Sequence, residues 1–189
     1  MTDSSNPTTD STNPTGDNFS FIDAEHAVLK FWESSDVFKQ SLAQTESGKP
    51  YIFYDGPPFA TGLPHHGHLV GSILKDAVPR YFTMKGRYVQ RRFGWDCHGL
   101  PIEHEIDKAL GMSSIEAVEK LGVKGYNDQC RGIVQRYTSE WQKTINRIGR
   151  WVDFDNDYKT MDPWYMESVW WVVKQLWEKD LIYRGEKVV

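Results

Sequence analysis

Hydrophobic and polar positions along the chain fall into a few segments with distinct periods. Val28, Leu29, Phe31 and Trp32 give one apolar face to a helix that starts after Ser20 and ends near Lys39. That helix is expected to pack over the core, with Gln40 to Lys49 as loop. Tyr51-Ile52-Phe53-Tyr54 lacks polar alternation, the pattern of a central parallel strand buried on both faces. Leu69, Val70, Ile73, Leu74, Ala77, Val78, Tyr81 and Phe82 then step by threes and fours, which predicts one buried stripe on a helix. Pro79 should kink that helix or force a new start near Val78. Arg87 to Arg92 reads as a second strand, and Gly94 to Pro101 as a turn at a strand end.

Beyond Lys108 the pattern becomes helical. Ser113-Ser114-Ile115-Glu116 has capping-box spacing ahead of a short helix to Leu121. Cys130, Ile133, Val134, Tyr137, Trp141, Ile145 and Ile148 mark a long amphipathic helix from near Tyr126, its aromatic stripe read as core. Trp151 to Phe154 reads as a short strand and Asp155-Asn156-Asp157 as a turn. Asp162-Pro163 starts a helix whose Met166, Val169, Trp170, Val173, Leu176 and Trp177 share a side expected to be buried. Leu181 to Val189 reads as the opening of a hairpin, cut inside its second strand, which suggests a fragment. A strand, a glycine-containing turn and a helix form the opening βα unit of an α/β parallel sheet, with ligand expected at the carboxyl end of the strand.

Composition narrows the picture. At 189 residues, 39% hydrophobic and 25% charged, the chain has the make-up of one globular domain or slightly more. Its first 18 residues offer almost nothing to bury and are expected to be a disordered tail. A net charge of −4 gives no general basic field for nucleic acid. Cys97 and Cys130 form no CxxC pair, so neither a disulfide framework nor a zinc ribbon is indicated. No long apolar run or charged leader is present, and a cytoplasmic location is expected.

The chemistry concentrates in Tyr54-Asp55-Gly56-Pro57-Pro58-Phe59-Ala60-Thr61-Gly62-Leu63-Pro64-His65-His66-Gly67-His68. Its prolines and glycines set the backbone at a strand-to-helix crossing, and His65 and His68 share a helix face. A helix N-terminus attracts anions and imidazoles can donate to phosphate, which suits a polyphosphate; Gly67 leaves backbone bare for a flat base. Three histidines in four positions could also be a metal site or a solvated helix start. Asp96 at the second turn suits a ligand ammonium group, or a turn cap. Trp95 and His98 beside it read either as pocket lining or as structural residues. Lys75, Arg80 and Lys85 read as a solvated polar face rather than an RNA contact. Glu103-His104-Glu105 also reads as solvated.

His65-x-Gly67-His68, with Asp55 to Gly62 before it, resembles the HIGH signature of class I aminoacyl-tRNA synthetases. Gly94-Trp95-Asp96-Cys97-His98-Gly99-Leu100-Pro101-Ile102-Glu103 resembles the second signature of their isoleucyl branch. The resemblance runs from about Phe21 to Val189. It implies the first part of a Rossmann-like, HUP-type, parallel-sheet nucleotide-binding catalytic domain with helical connections, residues 19–180, followed at 181–189 by the start of a connecting or editing insertion. It implies ATP with Mg2+ and L-isoleucine as substrates, tRNA(Ile) as a partner reached through a complete protein, a monomer when complete, and neither a tightly bound cofactor nor a metal site in this portion. His65 and His68 would be catalytic and, with Gly67, bind ATP; Gly56, Pro57 and Asp96 would bind the amino acid. The family's KMSKS loop is absent, so the chain alone is expected to be inactive or barely active. Two other readings stand beside this one: a non-catalytic binding protein derived from a synthetase fragment, and a small HxGH nucleotidyltransferase.

Overall fold

The computed structural model describes residues 19–59 and 61–187, with side chains there except at 135 and 136. The expected tail, residues 1–18, lies outside them, as do Ala60, Val188 and Val189. The chain divides into two units at Val37 and Phe38. In the first, helix α1 spans Phe21–Ser34; Ser20 caps it, its hydroxyl oxygen accepting the Asp23 N–H at 3.2 Å. None of the α1 residues is buried. Asp36, at φ 49°, then breaks the helix, and a second helix, α2, occupies Val37–Thr45. A single helix to Lys39 followed by loop was the wrong reading. A left-handed Asp is tolerated where few other side chains are, and it separates two helices that hydrophobic spacing alone runs together.

The second unit is a mixed α/β body. Helix α3 spans His66–Met84, strand β1 Arg92–Trp95, helix α4 Leu100–Leu110, helix α5 Ser114–Arg147, strand β2 Asp153–Lys159 and helix α6 Pro163–Glu178. β1 and β2 pair in parallel, Arg92 opposite Asp153, Gly94 opposite Tyr158 and Trp95 opposite Lys159. The register is irregular between Arg92 and Gly94. Asp155-Asn156-Asp157 lies inside β2 rather than in a separate turn. The local turn tendency survives as that irregularity, since the Asp153 carboxylate accepts the N–H groups of Asp155 and Asn156 at 2.9 Å.

α4 and α5 close over one face of this pair, with Phe93, Trp95, Ile102, Ile106, Ala117, Val134, Trp141 and Ile145 at the centre. The aromatic stripe of α5 is core, as its spacing required. The Ser113–Glu116 capping box is formed, and Gly122, at φ 71°, breaks α5 into a short and a long part. α6 starts at Pro163 with Asp162 as its cap residue.

Four expectations fail. Tyr51 to Tyr54 is extended but not a buried central strand. It touches the sheet through isolated parallel bridges, Pro50 to Tyr88 and Phe59 to Asp96, and Ile52 and Tyr54 are 75% and 89% exposed. Likewise β1 begins only at Arg92, so Arg87 to Gln90 is not strand. α3 runs through Pro79 as one helix, and its buried residues are Ser72 and Pro79 while Val70, Ile73, Leu74 and Tyr81 are exposed. α6 has no buried residue, and residues 181–187 form no strand. In the last two helices the apolar stripe exists, but among the described residues nothing covers it.

Candidate functional site

The loop from Asp55 to His65 is fixed at both ends and in its middle. At its start the Asp55 carboxylate is buried, with Lys75 Nζ 2.6 Å from Oδ1 and Arg150 Nη2 in close contact with Oδ2. Lys75 also donates to the Gly56 carbonyl at 2.7 Å, and the Tyr158 hydroxyl donates to the Asp55 carbonyl. Further on, the Asp96 N–H donates to the Pro58 carbonyl at 2.9 Å, which brings the second turn beside the first. Trp141 of α5 donates from its indole nitrogen to the Gly62 carbonyl at 2.8 Å.

At the far end α3 begins with three histidines. The His65 and His68 rings stack at 3.6 Å between centroids, and His68 packs on Trp141 at 4.8 Å. The His65 N–H donates to His68 Nδ1 at 3.2 Å. A ring nitrogen that accepts carries no proton, so neutral His68 holds its proton on Nε2. Burial, then the proximity of His65 and Lys75, pushes the His68 pKa below its ordinary 6.5. His68 is therefore neutral at pH 7. A Cβ on Gly67 would come 3.0 Å from His65 Cε1, so the bare backbone there also makes room for that ring.

These groups border a cavity of about 300 Å³. Asp55, Gly56, Pro57, Pro58 and Phe59 form one wall; Gly67, His68, Gly71, Ser72 and Lys75 form another; Phe93, Trp141 and Arg150 close it. The structure thus gathers Gly56, Pro57, Gly67 and His68 around one space. His65 stands outside the lining, stacked behind His68, and Asp96 also stands outside it, half buried and joined through its backbone to Pro58. The Asp96 carboxylate accepts no hydrogen bond and pairs with no cation among the described residues. Trp95 is fully buried, its indole N–H on Asp157 at 2.8 Å; His98 is exposed, with Nδ1 3.1 Å from the Thr160 hydroxyl. Among the described residues no group of three or more His, Cys, Asp or Glu is placed to hold a metal ion. No helix of the described residues is long and apolar enough to cross a membrane.

The family model described as class I tRNA synthetases (I, L, M and V) matches residues 27–189. The chain belongs to that family. Among its relatives, isoleucine--tRNA ligase of Treponema pallidum is 60% identical over 169 residues, 89% of this chain and 16% of that protein. The cytoplasmic isoleucine--tRNA ligases of Arabidopsis thaliana and Mus musculus are 59% and 56% identical over 92% of this chain, which covers 15% and 14% of them. The chain therefore spans about a sixth of the length of the curated relatives it matches. A crystal structure of an Agrobacterium radiobacter LeuRS in a ternary complex with tRNA and LeuAMS aligns with a TM-score of 0.58 at 20% identity, over 86% of this chain and 18% of that one. That likeness concerns the fold, and it agrees with a class I synthetase α/β body.

Sequence reasoning missed Lys75, Arg150, Ser72 and Trp141 of this cavity. Lys75 was read as solvated, whereas it is an inward cation of the cavity wall; Arg80, read the same way, pairs with Asp76 at 2.6 Å, donates to the Gly149 carbonyl and lies over the Trp151 ring at 3.7 Å. One signal was available: Asp55 opens the signature loop, and an acid that such a loop buries needs cations from elsewhere.

Proposed function

We propose that this chain is the amino-terminal part of an isoleucine-tRNA ligase, in which residues 19–180 form the first half of the catalytic domain and 181–189 open the insertion that follows. The complete protein activates L-isoleucine with ATP and transfers it to tRNA(Ile), acting as a cytoplasmic monomer. The observation that carries this reading is the single cavity bordered by Gly67 and His68 on one side and by Gly56 and Pro57 on the other. It has the size of a small-ligand site and brings the two ends of the first signature to one space.

The isoleucine carboxylate attacks the α-phosphorus of ATP; the bond to the bridging oxygen breaks, and pyrophosphate leaves with the electron pair. The acyl group then passes to the terminal ribose of tRNA and AMP departs. Catalysis consists of holding two anions in line and stabilising the charge that builds on the phosphate. His68 offers Nε2–H as a neutral donor, and the approach of phosphate favours its protonation; His65, stacked on it, supplies the second imidazole. Gly67 leaves room for adenine, and Mg2+ arrives with ATP as part of the substrate. The turn at Gly56 and Pro57 and the unpaired carboxylate of Asp96 hold the amino acid, with Asp96 on its ammonium group. Rejecting valine, one methylene smaller, is worth only ~1–3 kcal/mol in a binding pocket, so an editing function belongs to the complete protein.

The test is ATP–pyrophosphate exchange with isoleucine. The full reading-frame product that contains this chain is expected to catalyse it, and the 189-residue chain alone to be inactive or barely active. His68→Ala should lower exchange by ~10²-fold or more, and His66→Ala, at an exposed position, should change it little. Equal effects at the two positions would overturn the assignment. A stop codon directly after Val189 would favour the non-catalytic binding protein instead.

A further inference from the structure

We propose that Asp55 is a positioning residue of this site, a buried carboxylate clamped by Lys75 and Arg150 that fixes the Gly56-Pro57 turn in the orientation needed to hold the amino acid. The inference rests on the proposed reading for the identity of that ligand, and on geometry alone for the clamp.

Three separate segments converge on this one residue. Lys75 comes from α3, Arg150 from the link between α5 and β2, and Tyr158 from β2. Both carboxylate oxygens are ion-paired, Oδ2 through a hydrogen bond from Arg150 and Oδ1 by charge alone, 2.6 Å from Lys75 Nζ but outside hydrogen-bond geometry, and the side chains of Asp55 and Arg150 are only 3% and 4% exposed. Arg150 is itself held, its guanidinium 5.6 Å from the Phe93 ring centroid and its Nη1 3.5 Å from the Ser72 hydroxyl. A carboxylate so buried is tolerated only because it is paired, and losing both cations would leave its charge uncompensated. The clamp also reaches beyond the side chain. Lys75 binds the Gly56 carbonyl and Tyr158 binds the Asp55 carbonyl, so two consecutive backbone carbonyls at the cavity edge are pinned by the same set of residues.

Two consequences follow. With both oxygens occupied, Asp55 is removed as a partner for a ligand ammonium group, which leaves the unpaired Asp96. And two cations facing one acid leave the cavity wall with an excess positive charge beside His68, a field that favours an anion. Lys75, with three donors and one of them used on the Gly56 carbonyl, retains donor capacity for it.

Hydrogen–deuterium exchange on this chain tests the clamp. In Asp55→Asn, the amides of residues 56, 59, 61 and 62 should exchange about tenfold faster while those of Phe93, Trp95 and Val134 stay unchanged. Lys75→Met, which keeps the Asp55–Arg150 pair and so the fold, should produce the same local pattern in weaker form. Acceleration spread evenly over loop and core, or confined to neither, would overturn the proposal. In the full reading-frame product, Asp55→Asn should raise the KM for isoleucine about tenfold with the KM for ATP nearly constant, as expected for a misplaced binding turn. A fall in kcat with both KM values unchanged is what mere loss of folded protein gives, and it too would overturn the proposal. If the unaltered protein shows no isoleucine-dependent exchange, the ligase reading falls, and the amide measurement decides the clamp by itself.

Discussion

Gly94→Ala probes how tightly the parallel strand pair is closed under the loop. A Cβ at Gly94 would fall inside contact distance of the Tyr158 ring, meeting Cζ, Cε1 and the hydroxyl oxygen. A ring tip can swing aside, so the cost is whatever that movement breaks. Tyr158 donates to the Asp55 carbonyl, a hydrogen bond worth about 1 kcal/mol net. Its ring also stacks on Tyr165 with centroids 5.7 Å apart and planes within 3°, a pairing worth about 1 kcal/mol. Displacing the ring loses both, and Gly94→Ala should destabilise by about 2 kcal/mol. Urea unfolding followed by tryptophan fluorescence reads this as a midpoint lower by roughly 1 M for an ordinary slope. Tyr158→Phe should cost about half as much, since it removes only the hydrogen bond. Gly94→Ala made in a Tyr158→Ala background should cost almost nothing more, because the obstacle is gone. A loss below about 0.5 kcal/mol for Gly94→Ala alone would refute the reasoning, as would an undiminished loss in the Tyr158→Ala background.

Tyr158 should also be visible in an alkaline titration. Burial, then the nearby Asp55, Tyr165 and Asp96, pushes its hydroxyl up to about 12 from an ordinary 10.0, so the folded chain keeps this proton longer than the unfolded one. The resulting stability is fully present below pH 10 and is lost as pH rises to about 12; absorbance of phenolate in the native protein should show a late tyrosine that Tyr158→Phe removes, while Tyr126, pushed up further by burial and its bond to Asp107, stays late in both proteins. At the acid end the sign reverses for His68, whose pKa is lowered by burial, then by His65 and Lys75. The unfolded chain binds that proton first as pH falls through 6.5, so stability declines toward acid; His68→Gln should flatten the decline, and imidazole NMR should place the His68 titration below 6.5. Trp141→Phe removes the indole bond to the Gly62 carbonyl and should cost about 1 kcal/mol in urea unfolding, with no measurable loss counting against that bond as an anchor of the loop.

What was legible in the sequence divides along a physical line. The stripe of Ile133, Val134, Trp141 and Ile145 was readable as core because both its period and its partners, Phe93 and Trp95 of β1 and Ile102 of α4, lie within the described chain. The stripes of α3 and α6 were readable as stripes, yet Leu74 is 63% and Trp170 74% exposed. Periodicity states that a helix has a face wanting cover, and it carries no information about whether a cover is at hand. The extended segment around Ile52 fails in the same way, since a run of apolar residues reports a preference for burial and not the presence of neighbouring strands. Boundaries at Asp36 and Gly122 were set by single backbone conformations, of which only glycine gives a reliable sign.

The site divides in the same manner. Gly67 and His68 reach the cavity because a helix start places neighbours in sequence side by side, whereas His65 and Asp96, the latter at the end of the adjoining strand, stay outside its lining. Arg150 stands 95 residues from Asp55, and no local pattern connects them. Yet the connection was implied by charge. If Asp55 goes inward at the opening of the signature loop, neutrality in a low-dielectric setting demands a cation from some distant element, and Lys75 and Arg150 are the two that answer. The same reasoning explains why the acid next to the signature is not the one left for a ligand's ammonium group: an anion that the fold has already neutralised from two sides has no oxygen to spare, whereas Asp96, half buried and unpaired among the described residues, still has both.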